Sequence, residues 1–186
     1  MQFIIVGVGG QGILFSSKVL GQVSLSRGLD VIGSEVHGMS QRGGSVISHY
    51  KIGDYQSPLV QKGEADVLLA FDQMEALRNY DFLRKGGQAI VNVHDQEHFE
   101  DGSLKSYLES REITVHAIHG YEILKEHMNG KFLFLNVLIL GAMCGAGLGD
   151  VSMEEVRQAI TELAPARFVD ANLKVVDLGF EYMKKA

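Results

Sequence analysis

Phe3-Ile4-Ile5-Val6-Gly7-Val8-Gly9-Gly10-Gln11-Gly12 is the stretch on which the fold turns. The apolar run Phe3 to Val6 has the make-up of a buried parallel strand. It ends in Gly7-x-Gly9-x-x-Gly12, and an amphipathic segment begins at once with Ile13 and Leu14. Strand, glycine turn and helix in that order are the context a dinucleotide-type fingerprint needs. One glycine makes the tight turn, one lets backbone approach a ligand phosphate, and one lets helix and strand pack closely. The helix N-terminus then offers free N–H groups and a positive dipole end to an anion. A tight connection that touches no ligand would use the same three glycines, so Gly9, Gly10, Gln11 and Gly12 enter as ligand- or partner-facing candidates.

Working outward, Ile13 to Arg27 reads as a helix closed by Gly28, and Asp30 to Val36 as a second strand. Gly43 to Gly53 reads as a further strand, half of a hairpin with the residues before Pro58. Asp66 to Phe71 is a buried strand followed by a helix over Gln73 to Asn79. Gly86-Gly87 is a turn into a short strand, Ala89 to Val93. Ser103 to Ser110 reads as helix, Ile113 to Ala117 as strand and Tyr121 to Met128 as helix. The last third is helical. Phe132 to Gly149 is almost wholly apolar, but Asn136 and a glycine-rich end argue against a membrane span. Gly141, Gly145 and Gly149 fall on one helical face, which suits a buried central helix or a subunit contact. Ser152 with Glu155 has capping-box spacing at the start of Val151 to Leu163, and Asp170 to Lys185 closes the chain.

The expectation is one α/β domain over residues 1–186, Rossmann-like, with a mainly parallel sheet flanked by helices. Its 186 residues suit one core and leave little for a second domain. With 23 carboxylates against 17 Lys and Arg and no basic cluster, a nucleic-acid surface is not expected. No secretory leader or membrane segment is expected, and a single cysteine suits the reducing cytoplasm. One cysteine also cannot supply the four thiolates of an iron–sulfur cluster. The histidines show no metal spacing, and no Ser–His–Asp or Cys–His set can be read. Asp72 and Glu75 read as helix N-terminal carboxylates favoured by the dipole, and His49 as a packed or surface strand residue.

Glu35-Val-His37-Gly-Met-Ser40-Gln41-Arg42-Gly43-Gly44-Ser45 is unusual for a loop after a second strand. In a simple dinucleotide binder the acidic residue here holds the ribose hydroxyls, and Glu35 sits 23 residues past Gly12. The segment also carries an imidazole and a guanidinium. Arg42 beside Gly43-Gly44 can present a bidentate fork to phosphate or carboxylate. Glu35, His37, Ser40, Gln41, Arg42, Gly43 and Gly44 are therefore candidates for contact with substrate, coenzyme or a partner chain, Arg42 foremost.

The two glycine motifs together resemble the gamma-type subunit of the 2-oxoacid:ferredoxin oxidoreductases. The His-Gly-Met-Ser-Gln-Arg-Gly-Gly form of the second is most similar to the small subunit of the indolepyruvate enzymes. The likeness continues through Gly63-Glu-Ala-Asp-Val-Leu-Leu-Ala, Gly86-Gly87 and the Asn136/Gly141-Ala142 region. It implies a chain with no complete active site. Larger partner subunits would hold thiamine diphosphate and the iron–sulfur clusters, with coenzyme A as co-substrate and ferredoxin as acceptor. The gamma domain would pack on the thiamine subunits and help shape the approach of coenzyme A and substrate. Two other readings stay open on the residues alone: a free-standing NAD(P)-dependent reductase, and a coenzyme A- or nucleotide-binding regulatory module.

Overall fold

A computed structural model describes residues 1–38, 43–95 and 101–185. Six strands form one sheet: β1 (Gln2–Val8), β2 (Val31–His37), β3 (Ser45–Ile52), β4 (Ala65–Ala70), β5 (Leu83–Asn92) and β6 (Thr114–Ile118). Their order is β2-β3-β1-β4-β5-β6. β1, β4, β5 and β6 run parallel, while β3 runs antiparallel to both β1 and β2. The expected mainly parallel α/β sheet is therefore observed, with an antiparallel hairpin added at one side.

The alternation along β1 divides the core. Phe3 and Ile5 face one layer, with the helices α1 (Ile13–Ser26), α4 (Gly120–Met128), α5 (Leu135–Gly145), α6 (Met153–Leu163) and α7 (Val169–Lys185). Ile4 and Val6 face the other, with α2 (Gln73–Asn79) and α3 (Gly102–Ser110). Since β1 is covered on both faces, it reads as a continuous apolar run rather than an alternating one.

α5 is buried from Leu135 to Cys144 and forms the centre of the larger layer. Its glycines let α7 lie backbone against backbone. A Cβ on Gly141 would stand 2.0 Å from Val176 O, and one on Gly145 would stand 2.6 Å from Phe180 O. Gly179 of α7 answers in kind, 2.1 Å from Leu138 O. The small-residue stripe thus serves an internal contact. Gly149 is not part of it: α5 ends at Gly145, and Gly149 sits in a left-handed turn against the Phe3 ring. The α6 start carries the expected capping box of Ser152 and Glu155.

Two other expectations are corrected. β3 makes its hairpin with β2, across residues 38–44, and not with the residues before Pro58. β5 already starts at Leu83, so Gly86-Gly87 is a bulge inside the strand. Gly86 has a φ of +73°, and a Cβ on Gly87 would meet Arg84 O at 3.0 Å. No helix among the described residues is long and apolar enough to cross a membrane.

Candidate functional site at the carboxyl edge of the sheet

The loops after β1, β4, β5 and β6 all leave the same edge, and the pairing of Val8 with Ser45 and of His37 with Val46 brings the β2–β3 connection there too. α1 covers one face on the way from β1 to β2, whereas α2 covers the other between β4 and β5. The strand order therefore reverses between β1 and β4. In open α/β sheets that reversal leaves a crevice in which ligands bind.

Here Gln11 fills it. Its Oε1 accepts a hydrogen bond from Val8 N at 2.7 Å. Its Nε2 donates to Phe71 O at 3.2 Å, at the end of β4, and to the Tyr121 hydroxyl at 3.0 Å. A Cβ on Gly7 would lie 2.6 Å from Gln11 Oε1, so the first glycine of the motif makes room for this amide. Gly12 makes room for another: a Cβ there would be 2.5 Å from Asn136 Nδ2, which donates to Gly12 O at 3.3 Å. Two of the three motif glycines are thus explained by the protein's own carboxamides.

Two more carboxamides tie the remaining loops. Asn92 donates to Phe71 O at 3.1 Å and accepts from Gly120 N at 2.9 Å. Gln73 Oε1 accepts from His94 N and Asp95 N at 2.9 and 3.0 Å. Gln73 and Asn92 are fully buried, and neither was singled out from the sequence. Their position was the available signal, a carboxamide at or just after the end of an apolar strand.

The two glycine loops meet. Gly9 N donates to Gly44 O at 2.9 Å, and Gly38 N donates to Ser45 O at 2.9 Å across the hairpin mouth. Ser45 Oγ donates to Glu75 Oε2 at 2.6 Å, while the other oxygen of this buried carboxylate meets Arg78. Asp72 caps α2 as expected, accepting from Met74 N and Glu75 N. Glu75, in contrast, is an anchor for the second loop, a role the dipole argument missed. Gly43 is left-handed, with φ +77°. Ser40, Gln41 and Arg42 lie outside the described residues.

Glu35 and His37 sit on the edge strand, 3.6 Å apart through Oε2 and Nε2. β3 lies between them and β1, which puts them one strand spacing, about 5 Å, further out than the acidic residue of a simple dinucleotide fold, whose strand adjoins β1. Glu35 instead borders a groove of about 340 Å³ between α1 and the hairpin, with Lys18, Ser34 and the bonded Ser17–Ser48 pair. Tyr50 also lines it, its hydroxyl pushed up to about 12 by burial. Cys144 is buried in α5 and pushed up to about 12 by the same cause, so it is no nucleophile or thiolate ligand. His49 is packed, its Nδ1 accepting from Val60 N at 3.2 Å. No group of three or more His, Cys, Asp or Glu suited to a metal occurs among the described residues.

This is an α/β fold with a mostly parallel six-stranded sheet that closes its own crevice with a side chain. The chain belongs to the pyruvate ferredoxin/flavodoxin oxidoreductase family, whose sequence profile matches residues 2–182. It is 36% identical over 191 residues to the indolepyruvate oxidoreductase subunit IorB of Archaeoglobus fulgidus, covering 97% of this chain and 94% of that one. It is 31% identical to the ketoisovalerate oxidoreductase subunit VorA of Methanothermobacter marburgensis, where 97% of this chain matches only 36% of a longer one. The gamma subunit of a keto/oxoacid ferredoxin oxidoreductase from Geobacter sulfurreducens shares its structure. That pair has a TM-score of 0.76 at 26% identity, over 100% of this chain and 99% of that one. The chain is accordingly a subunit of an oxidoreductase complex.

Proposed function

We propose that this chain is the small subunit of a cytoplasmic 2-oxoacid:ferredoxin oxidoreductase that converts indolepyruvate, or another aryl 2-oxoacid, to its acyl-CoA. A larger partner holds the thiamine diphosphate and the iron–sulfur clusters. The single cysteine of this chain, buried and protonated, fits neither a cluster nor a nucleophile. When bound in the partner, thiamine diphosphate supplies the electron sink for decarboxylation. The residues described here supply shape and order. Gln11, Gln73, Asn92 and Asn136 hold the carboxyl edge rigid without adding charge. The paired Gly9 and Gly44 bring the glycine turn against the second loop; Glu35 and His37 at the end of β2 and, in the sequence that follows, Arg42 are the polar groups offered to coenzyme, substrate or partner.

The observation that carries this reading is the filled crevice. Gln11 stands where a bound dinucleotide would need open backbone, which disfavours a free-standing NAD(P) reductase. The relatives' names, over nearly the full chain, support the substrate class.

The test is the reconstituted complex. Arg42→Ala is expected to lower acyl-CoA formation and weaken the dependence on coenzyme A. Wild-type turnover with wild-type coenzyme A dependence would remove Arg42 from the site.

A further inference from the structure

A single buried carboxylate on α2 reaches the end of the second glycine loop. Both oxygens of Glu75 are taken, Oε1 by Arg78 Nη1 at 2.5 Å and Oε2 by the Ser45 hydroxyl at 2.6 Å. Ser45 is where the edge is joined. Its carbonyl accepts from Gly38 N at 2.9 Å, and it stands opposite Val8 in the pairing of β3 with β1. The residue before it, Gly44, accepts from Gly9 N at 2.9 Å. A buried ion pair adds little net stability over apolar side chains of the same size, because desolvation offsets the attraction. What the carboxylate fixes is direction. The Ser45 hydroxyl has one proton and gives it to a charged acceptor, and that acceptor sits on a helix whose own start is held by the Asp72 cap.

We infer that Glu75 is a positioning residue for the coenzyme A step: acting through Ser45, it holds the end of the second loop against the glycine turn. The inference rests on the function proposed above and adds the residues that set the loop. Glu75 itself touches no reacting atom. In the sequence Arg42 stands three residues before Ser45, and Glu35 and His37 end the strand that pairs with β3. With the link in place, the end of the loop has one arrangement to offer. Without it, only a fraction of the molecules present that arrangement, and the apparent affinity falls by that fraction. The loss is therefore expected in the capture of coenzyme A and not in the rate of decarboxylation, which other groups carry out.

The experiment reads steady-state kinetics in the reconstituted complex and amide exchange by NMR in the full chain. Ser45→Ala is expected to raise KM for coenzyme A about fivefold or more, with kcat and KM for indolepyruvate within about twofold of wild type. It should also speed exchange at the Gly9 and Gly38 amides, which bond across the same junction. Ser45→Thr keeps the hydroxyl and should restore both. Glu75→Met removes the acceptor at similar volume and should match Ser45→Ala, and the double variant should lose no more, since the two groups form one link. Wild-type KM for coenzyme A in Ser45→Ala and Glu75→Met overturns the inference. So does a rise that Ser45→Thr fails to reverse, or one accompanied by faster exchange across the whole core, which would assign the pair to general stability. A wild-type complex that oxidises neither indolepyruvate nor another aryl 2-oxoacid with coenzyme A overturns both this inference and the reading beneath it. An active, coenzyme A-dependent wild type with indifferent variants overturns this one alone.

Discussion

Gln11 joins three segments through one neutral amide, and its partners Phe71 and Tyr121 lie 60 and 110 residues away. At about 1 kcal/mol per hydrogen bond, Gln11→Leu is expected to cost about 2–4 kcal/mol, read from urea denaturation. An unchanged midpoint would show that the amide is incidental. The residue was legible as a group at the helix start, but its inward turn was not. Spacing fixes a glycine turn, whereas the rotamer depends on acceptors that only the folded sheet brings close. Glu155 gives a second prediction. Hydrogen bonds from Arg27 and Ser152 depress its carboxyl to about 2. A depressed carboxyl stabilises the fold above the ordinary value of about 4.3, and the contribution fades as pH falls towards 2. Glu155→Gln keeps the capping-box geometry and removes the charge facing Arg27. Its deficit in thermal midpoint at pH 7 should narrow between about pH 4 and pH 2; a constant deficit would mean that the charge is fully screened by solvent.

Elements were read from the sequence more securely than their partners. Periodicity placed most of the strands and helices, because a buried strand and an amphipathic helix each leave a distinct pattern. It did not pair β3 with β2, since β2 is an exposed edge strand with no apolar face to report its neighbour. Nor did it separate a turn before β5 from a bulge within it, because both require the same Gly86 conformation. The α5–α7 contact gives the sharpest prediction at this scale. Gly179→Ala would place a methyl 2.1 Å from Leu138 O, backbone that cannot swing aside, and is expected to cost about 3 kcal/mol or more. Gly102→Ala, at the start of α3 with nothing within 4 Å, should leave the urea midpoint unchanged or raise it. Similar losses in both variants would remove the packing argument.

For the whole molecule, the two glycine motifs pointed to the family before any contact was visible, and the fold accounts for their co-occurrence through the Gly9–Gly44 bond. What the sequence left open was whether the fingerprint still serves a nucleotide. The antiparallel β3 beside β1 moves Glu35 away, and Gln11 closes the crevice, so the isolated chain is expected to show no saturable heat with NAD or NADP in the micromolar range. Micromolar binding by calorimetry would mean that Gln11 swings out, and would restore the free-standing reductase. The exposure of Leu14, Phe132 and Leu133 was not legible either, because each reads as an ordinary member of an apolar stretch until its neighbours are known.

The glycine contact between α5 and α7 also bears on how the chain is made. Apart from Asn136, α5 is apolar along its length, and it leaves the ribosome well before the helix that covers it. During that interval the nascent domain carries an uncovered, sticky helix of the kind chaperones hold. Synthesis stalled between residues 146 and 168 would therefore release a fragment that cannot complete its larger core layer. Such a fragment would be a substrate for quality control rather than for assembly.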